Sequence, residues 1–419
     1  MSKVVVVPLA SKVHDVKSYE NIYLQLKSLL KTYNVELLDV VTDIGKLRFY
    51  ETKIKPNIPL LVFLTGGTSA IARYVIKTLN YKAGIGLAHG YHNSLASALS
   101  AKARLEQENL PLAIIGCQVL NLCKDKVEVA IRAIKAVSKL LKAKVGLIAD
   151  HFEIGEIEAF ERKFNMEIVR ISYDEVLEHV KLIDDKEIDK TLKTLEEKLR
   201  LEHVNLEVLK DILKFYLSLE SIVDKHSLIG LAVDCFPYLI KHKVTPCIPL
   251  ALMSSVEVPV ACEGDLRSLT LMLLSKEVTG HSGWIVNPSC IIGDDKLVVA
   301  HCTITLSMID SGRITTHFET KYPYSIAASI PRGTYTLTAL SYDLNSIVAS
   351  KVKVEESGML DKRRCRTQAV IRLGFNAKKF LDEAISNHHL IIPGDVVEEL
   401  KLIAKLLRLS FKEYGCFKD

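Results

Sequence analysis

Along the first third of the chain, short apolar runs alternate with stretches whose apolar residues recur with a helical period. Runs at 4–8, 35–41, 60–64, 83–88 and 112–116 have the length and composition of buried strands. The segments 16–33, 69–79, 94–108 and 127–141 between and after them have amphipathic helical spacing. Alternation of this kind predicts a parallel sheet wrapped by helices on both faces. A second alternating unit opens with strand 144–149, helix 156–164 and strand 166–172, and a charged helical stretch follows from Lys186 to about Lys225. After Met308 the period changes to two. Segments 313–320, 325–330, 334–342, 347–354 and 367–373 read as antiparallel strands of a small barrel or sandwich. Helix 376–385, strand 390–392 and helix 396–407 close the chain. The expected fold is α/β: two Rossmann/flavodoxin-like αβα domains, 1–143 and 144–308, then a C-terminal β-barrel-like domain, 309–419.

Composition narrows the function classes. The longest apolar runs, such as Ile58 to Leu64, fall far short of the roughly 18–20 residues that span a bilayer. The apolar run at 4–7 soon meets His14, Asp15 and Lys17, so it reads as a first strand rather than a signal peptide, and a cytoplasmic protein is expected. A net charge of +5 without a broad basic face argues against nucleic acid as a partner. The one dense basic cluster, Lys362, Arg363, Arg364 and Arg366, reads as a solvated loop between strands. The nine cysteines show no Cys-x-x-Cys spacing and are read as small buried thiols rather than disulfides or a zinc site. Five of them, Cys235, Cys247, Cys262, Cys290 and Cys302, nevertheless fall in the motif-rich stretch 231–308.

Four segments carry candidate chemistry. In Val260-Ala261-Cys262-Glu263-Gly264-Asp265 an apolar strand ends in two acids, which share a face only if the strand continues past Glu263; Asp265 is also placed to cap the helix that follows. The only tryptophan opens Trp284-Ile285-Val286-Asn287-Pro288, an apolar strand running into an Asn-Pro turn. The run 297–300 leads directly to His301. In Asn387-His388-His389 the two imidazoles point to opposite faces of a strand, so one of them at most faces a given site. Taken singly, each has an ordinary structural explanation. Taken together, one carboxylate and two imidazoles supply mixed O/N donors suited to a divalent ion such as Mn²⁺.

Ala261-Cys262-Glu263-Gly264-Asp265, with Ser268 to Met272 and Thr279-Gly280 after it, resembles the active-site block of the L-fucose isomerase/L-arabinose isomerase superfamily. Ala300-His301-Cys302-Thr303 and Asn387-His388 resemble two further blocks of that superfamily, and Asp234-Cys235-Phe236 and Thr316-His317-Phe318-Glu319 resemble motifs to which no role is assigned. The resemblance implies an aldose–ketose isomerase acting through an enediol, with Glu263, His301 and His388 on Mn²⁺ or another divalent metal and Glu263, Asp265 and Asn287 as catalytic candidates. It also implies a sugar substrate touched by Trp284, Asn387 and, from the first domain, Thr68 and His89, and a homo-oligomer, trimer or hexamer. Asn287 departs from the pattern: it stands where the superfamily has a carboxylate, and an amide cannot act as a general base. Asp265 and His301 are the substitutes weighed for moving the proton. The departure keeps two alternatives open, a non-catalytic sugar-binding or regulatory protein on the same scaffold and a metal-dependent lyase or epimerase. Thr65-Gly66-Gly67-Thr68, between a strand and a helix, offers backbone N–H groups to an anion or a sugar hydroxyl.

Overall fold

The structure, a computed structural model, describes residues 3–256 and 258–416. It is mixed α/β, with two parallel sheets and a closed antiparallel barrel, in two compact units. Among the described residues no helix is long and apolar enough to cross a membrane.

The first unit comprises Met1–Lys139 and Glu398–Ser410. Its strands β1 (Val4–Leu9), β2 (Val35–Leu37), β3 (Leu60–Phe63), β4 (Gly84–His89) and β5 (Leu112–Cys117) pair in parallel in the order β2-β1-β3-β4-β5. Strands β1, β3 and β4 are buried along their whole length, which is why they read as continuous apolar runs rather than alternating ones. The late helix expected at 396–407 within the third domain packs largely into this unit: Tyr81 donates to the Leu406 carbonyl at 2.9 Å, and Lys405 pairs with Glu106 at 2.6 Å. Cys117 and Cys123 are joined in a disulfide, which corrects the reading of all cysteines as thiols.

The second unit comprises Leu140–Val397 and Phe411–Asp419. Strands β6 (Lys144–Ile148), β7 (Glu167–Ile171), β8 (Leu231–Val233) and β9 (Val260–Cys262) form a parallel sheet in the order β7-β6-β8-β9. The charged stretch after β7 resolves into helices Asp185–Glu196 and Leu206–His226, the second capped by the Asn205 side chain. Next come β10 (Trp284–Ile292), β11 (Lys296–His301), the hairpin partners β12 (Ser311–Thr315) and β13 (Ser325–Ser329), β14 (Gly333–Leu340), β15 (Ser346–Gly358), β16 (Thr367–Arg372) and β17 (His389–Pro393). Six of these close a ring in the order β14-β17-β10-β11-β16-β15, with β15 pairing back onto β14. Closure removes the unpaired edges an open sheet would present.

The barrel begins at Trp284, ahead of the expected boundary at 309, and one hydrophobic core joins it to the parallel sheet: Val233, Cys262, Trp284, Val299, Ile371 and Ile391 belong to a single cluster. The expected Asn287-Pro288 turn is instead strand. Asn287 faces Ala300 across the β10–β11 ladder, and the register shifts between Pro288 and Cys290, a bulge that accommodates the missing proline N–H.

Candidate metal centre

The ends of β9, β11 and β17 bring the principal candidates together. The parallel strand β9 ends at Cys262, and the chain then turns through Glu263 (φ 60°) and Gly264 (φ 64°). Extended geometry therefore does not continue past Glu263, and the two acids do not share a strand face. Asp265 caps the helix Leu266–Thr279: its Oδ1 accepts from the backbone N–H of Arg267 at 2.9 Å and of Ser268 at 3.1 Å. Its Oδ2 accepts from the Ser268 hydroxyl at 2.7 Å and meets His388 Nδ1 at 2.8 Å.

Glu263 stands between the two imidazoles. Its Oε1 lies 3.6 Å from His301 Nε2 and its Oε2 3.5 Å from His388 Nε2. These distances exceed a hydrogen bond, and both nitrogens of His301 and Nε2 of His388 are buried without a hydrogen-bonding partner. Unsatisfied buried imidazole nitrogens are costly unless something else binds them. Donors about 2.0–2.2 Å from one tetrahedral ion sit roughly 3.3–3.6 Å apart, so the spacing about Glu263 fits a cation in the gap. Cys262, Glu263 and His301 offer donor atoms all within 4.8 Å of one another and form a group that could hold a metal ion, the only such group of three among the described residues. His388, the third expected ligand, lies outside that group although it reaches the far oxygen of Glu263.

The electrostatics suit cation binding. Burial pushes the Glu263 carboxyl up, but the proximity and charge of His301 and the charge of His388 hold it below the ordinary carboxylate range. Burial likewise works against Asp265, yet the His388 hydrogen bond and the Arg267 charge bring it to about 2. Burial alone would lower His388, but the bond and charge of Asp265 raise it. Asp265 is thus an anion at neutral pH, committed to holding His388.

A cavity of about 420 Å³ opens onto this group and is lined by Cys262, Glu263, Asn287 and His301 among others. Asp265 and His388 are not on its wall. Residues that sequence reasoning left without a role also line it: Cys235, Phe236, His317, Phe318 and Glu319 from the two unassigned motifs, and Cys247, Cys302 and Cys365. Arg363 and Arg364 lie in the loop between β15 and β16 at the edge of this cavity; Arg363 is exposed, as expected of a solvated loop, and pairs with Asp361, whereas Arg366 is buried and donates to the Thr316 carbonyl. The signal for Cys235, Cys247 and Cys302 was the density of thiols in 231–308, which reading each as an isolated buried residue set aside; Cys365 lies outside that stretch.

Of the expected sugar contacts in the second unit, neither Trp284 nor Asn387 lines this cavity. Trp284 is 1% exposed in the barrel core, and its Nε1–H donates to the Thr303 carbonyl at 3.0 Å. Asn387 is exposed and accepts from the Tyr342 hydroxyl at 2.6 Å. In the first unit, Thr68 is fully buried, with its hydroxyl 2.9 Å from Ser97 Oγ and its N–H donating to the same oxygen at 3.0 Å. Gly66 N–H donates to the His92 carbonyl, so two N–H groups of this loop already have partners and are not open to an anion. His89 is buried with both ring nitrogens engaged, Nε2 with the Leu64 carbonyl at 3.0 Å and Nδ1 with the Tyr91 N–H at 3.2 Å.

The paired histidines divide between the centre and the core, with His389 opening β17 and His388 just ahead of it. His388 turns to the centre, while His389, fully buried, meets the Tyr414 hydroxyl at 2.7 Å and packs on the Phe380 ring. Burial pushes the His389 pKa from 6.5 down to about 4. The unfolded chain therefore binds more protons than the folded one between these values. Stability from this residue is complete above pH 6.5 and is lost as pH falls toward 4, about 3 kcal/mol in all. Chemical denaturation of metal-free protein across this range should show the loss, and His389→Gln, which keeps a donor for Tyr414, should flatten it. An unchanged slope in the variant would assign the acid sensitivity elsewhere.

No model of a known protein family matches the chain, and no curated protein matches it.

Proposed function

We propose that the protein is a metal-dependent aldose–ketose isomerase of the fucose/arabinose isomerase type, the parallel sheets of its two units corresponding to the Rossmann-like layers of that superfamily. The observation that carries the reading is the convergence of one carboxylate and two imidazoles whose facing nitrogens have no protein partner. When bound, a divalent ion polarises a carbonyl and fixes two vicinal oxygens, as enediol chemistry requires. Glu263, His301 and His388 would hold the ion, with His388 oriented by Asp265. Asn287 presents an amide to the cavity, able to hydrogen-bond a hydroxyl but not to take a proton. Because Asp265 is committed to His388 and to its helix, and His301 to the ion, His317 and Glu319 are the wall groups left to move the proton. The working form is a homo-oligomer, as in the superfamily.

The test is a titration of metal-stripped protein with Mn²⁺, Co²⁺ and Zn²⁺, wild type against Glu263→Ala and His388→Ala, followed by a panel of aldoses and ketoses. One equivalent bound by the wild type, weakened in both variants, with interconversion of at least one pair, is the expected result. No binding of any of the three ions sinks the mechanism. The amide at 287 favours a second reading, sugar binding without turnover. Asn287→Asp separates the two: a rise in turnover of tenfold or more is expected for an isomerase site, and sugar binding with no turnover in either form supports the second.

A further inference from the structure

Adjacent residues on a strand point to opposite faces, yet Cys262 and Glu263 direct donor atoms to one place. The left-handed conformation of Glu263 makes this possible by folding the carboxylate back beside the thiol. A non-glycine residue pays for that conformation with backbone strain, a cost that persists where a site requires it. Cys262 is 3% exposed, and its Sγ lies 3.3 Å from Cys235 Sγ and within 4.8 Å of donor atoms on Glu263 and His301. His301 completes the group with both ring nitrogens buried and unpartnered. All three residues line the cavity, so a cation held by them would keep an open position toward a ligand.

We infer that Cys262 is a metal ligand, so that the centre presents sulfur, oxygen and nitrogen donors and selects a borderline-soft cation such as Zn²⁺ over Mn²⁺. The inference rests on the reading that a divalent ion is bound here, and adds the donor that decides which one. Oxygen and nitrogen donors alone suit Mn²⁺, whereas a thiolate shifts preference toward zinc and cobalt. Cys235 is the neighbour of the ligand rather than a ligand: its sulfur is not among the mutually close donors.

Cobalt is the probe, because thiolate ligation gives Co²⁺ an intense near-ultraviolet charge-transfer band that oxygen and nitrogen donors do not. Full-length metal-stripped protein titrated with Co²⁺ should develop this band to one equivalent. Cys262→Ser should abolish it while retaining weaker cobalt binding, Cys235→Ser should keep it, and the preference for Zn²⁺ over Mn²⁺ should narrow about tenfold or more in Cys262→Ser. Zinc-edge X-ray absorption on the zinc-loaded wild type needs no variant, and one sulfur scatterer is expected. Cobalt bound without the band, or only nitrogen and oxygen scatterers around zinc, overturns sulfur ligation and leaves the isomerase reading standing. A band that survives in Cys262→Ser overturns the assignment to this cysteine. Failure of the wild type to bind cobalt overturns both.

Discussion

Glu263→Gly is expected to cost at least about 100-fold in divalent-metal affinity, close to 3 kcal/mol, while leaving the metal-free protein no less stable than the wild type. The two effects would part because the proposed role of Glu263 is in the centre and not in the fold. Its side chain is about one-third exposed and makes no hydrogen bond that the core depends on, whereas its carboxylate is the group both imidazoles face. Glycine relieves the strain of φ 60°, and removing the charge eases Asp234 and Asp265, both of which lie near enough to feel it. Relief of about 1 kcal/mol offsets the extra freedom that glycine has in the unfolded chain. Metal titration by calorimetry and urea denaturation of the metal-free forms measure the two quantities. Affinity reduced less than tenfold would remove Glu263 from the centre.

The second large effect is on stability. Trp284→Ala should destabilise the second unit by about 3–5 kcal/mol, as large-to-small changes in a packed core do. Trp284 is the largest fully buried side chain, pairs with Ile391 across the β10–β17 ladder and holds the Thr303 carbonyl. Its removal leaves a cavity and an unpaired carbonyl together. Circular dichroism through a denaturant series reads the shift in midpoint. A variant of unchanged stability that fails to bind sugar would return Trp284 to the role of a ligand contact.

The residues legible in the sequence were those whose local pattern determined their position. The apolar run ending at His301 is a strand, and the alternation of His388 and His389 assigned one to the centre and one to the core. Asp265 capping its helix was legible from its place before an amphipathic run. The start of the barrel was not. Val298 to His301 are buried on both faces, and such strands lack the period-two signal that marked the later ones. The break at Asn287-Pro288 was misread for a related reason: a bulge and a turn share the same residues, and only the partner strand distinguishes them. The cysteine-lined wall was least visible, because Cys235, Cys262, Cys302 and Cys365 belong to different elements, and pattern along the chain carries no information about which loops meet.

Barrel closure also bears on when the centre can exist. Strand β17 lies between β10 and β14, and Trp284 is paired with Ile391, more than a hundred positions later. During synthesis Cys262, Glu263 and His301 leave the ribosome long before His388, the second imidazole that faces Glu263. A nascent chain stopped before β17 has these three residues but an open sheet and no His388, and such long-range pairing is slow to form. A metal bound by this group would therefore be acquired after β17 has emerged and closed the barrel, rather than when the donor residues themselves emerge.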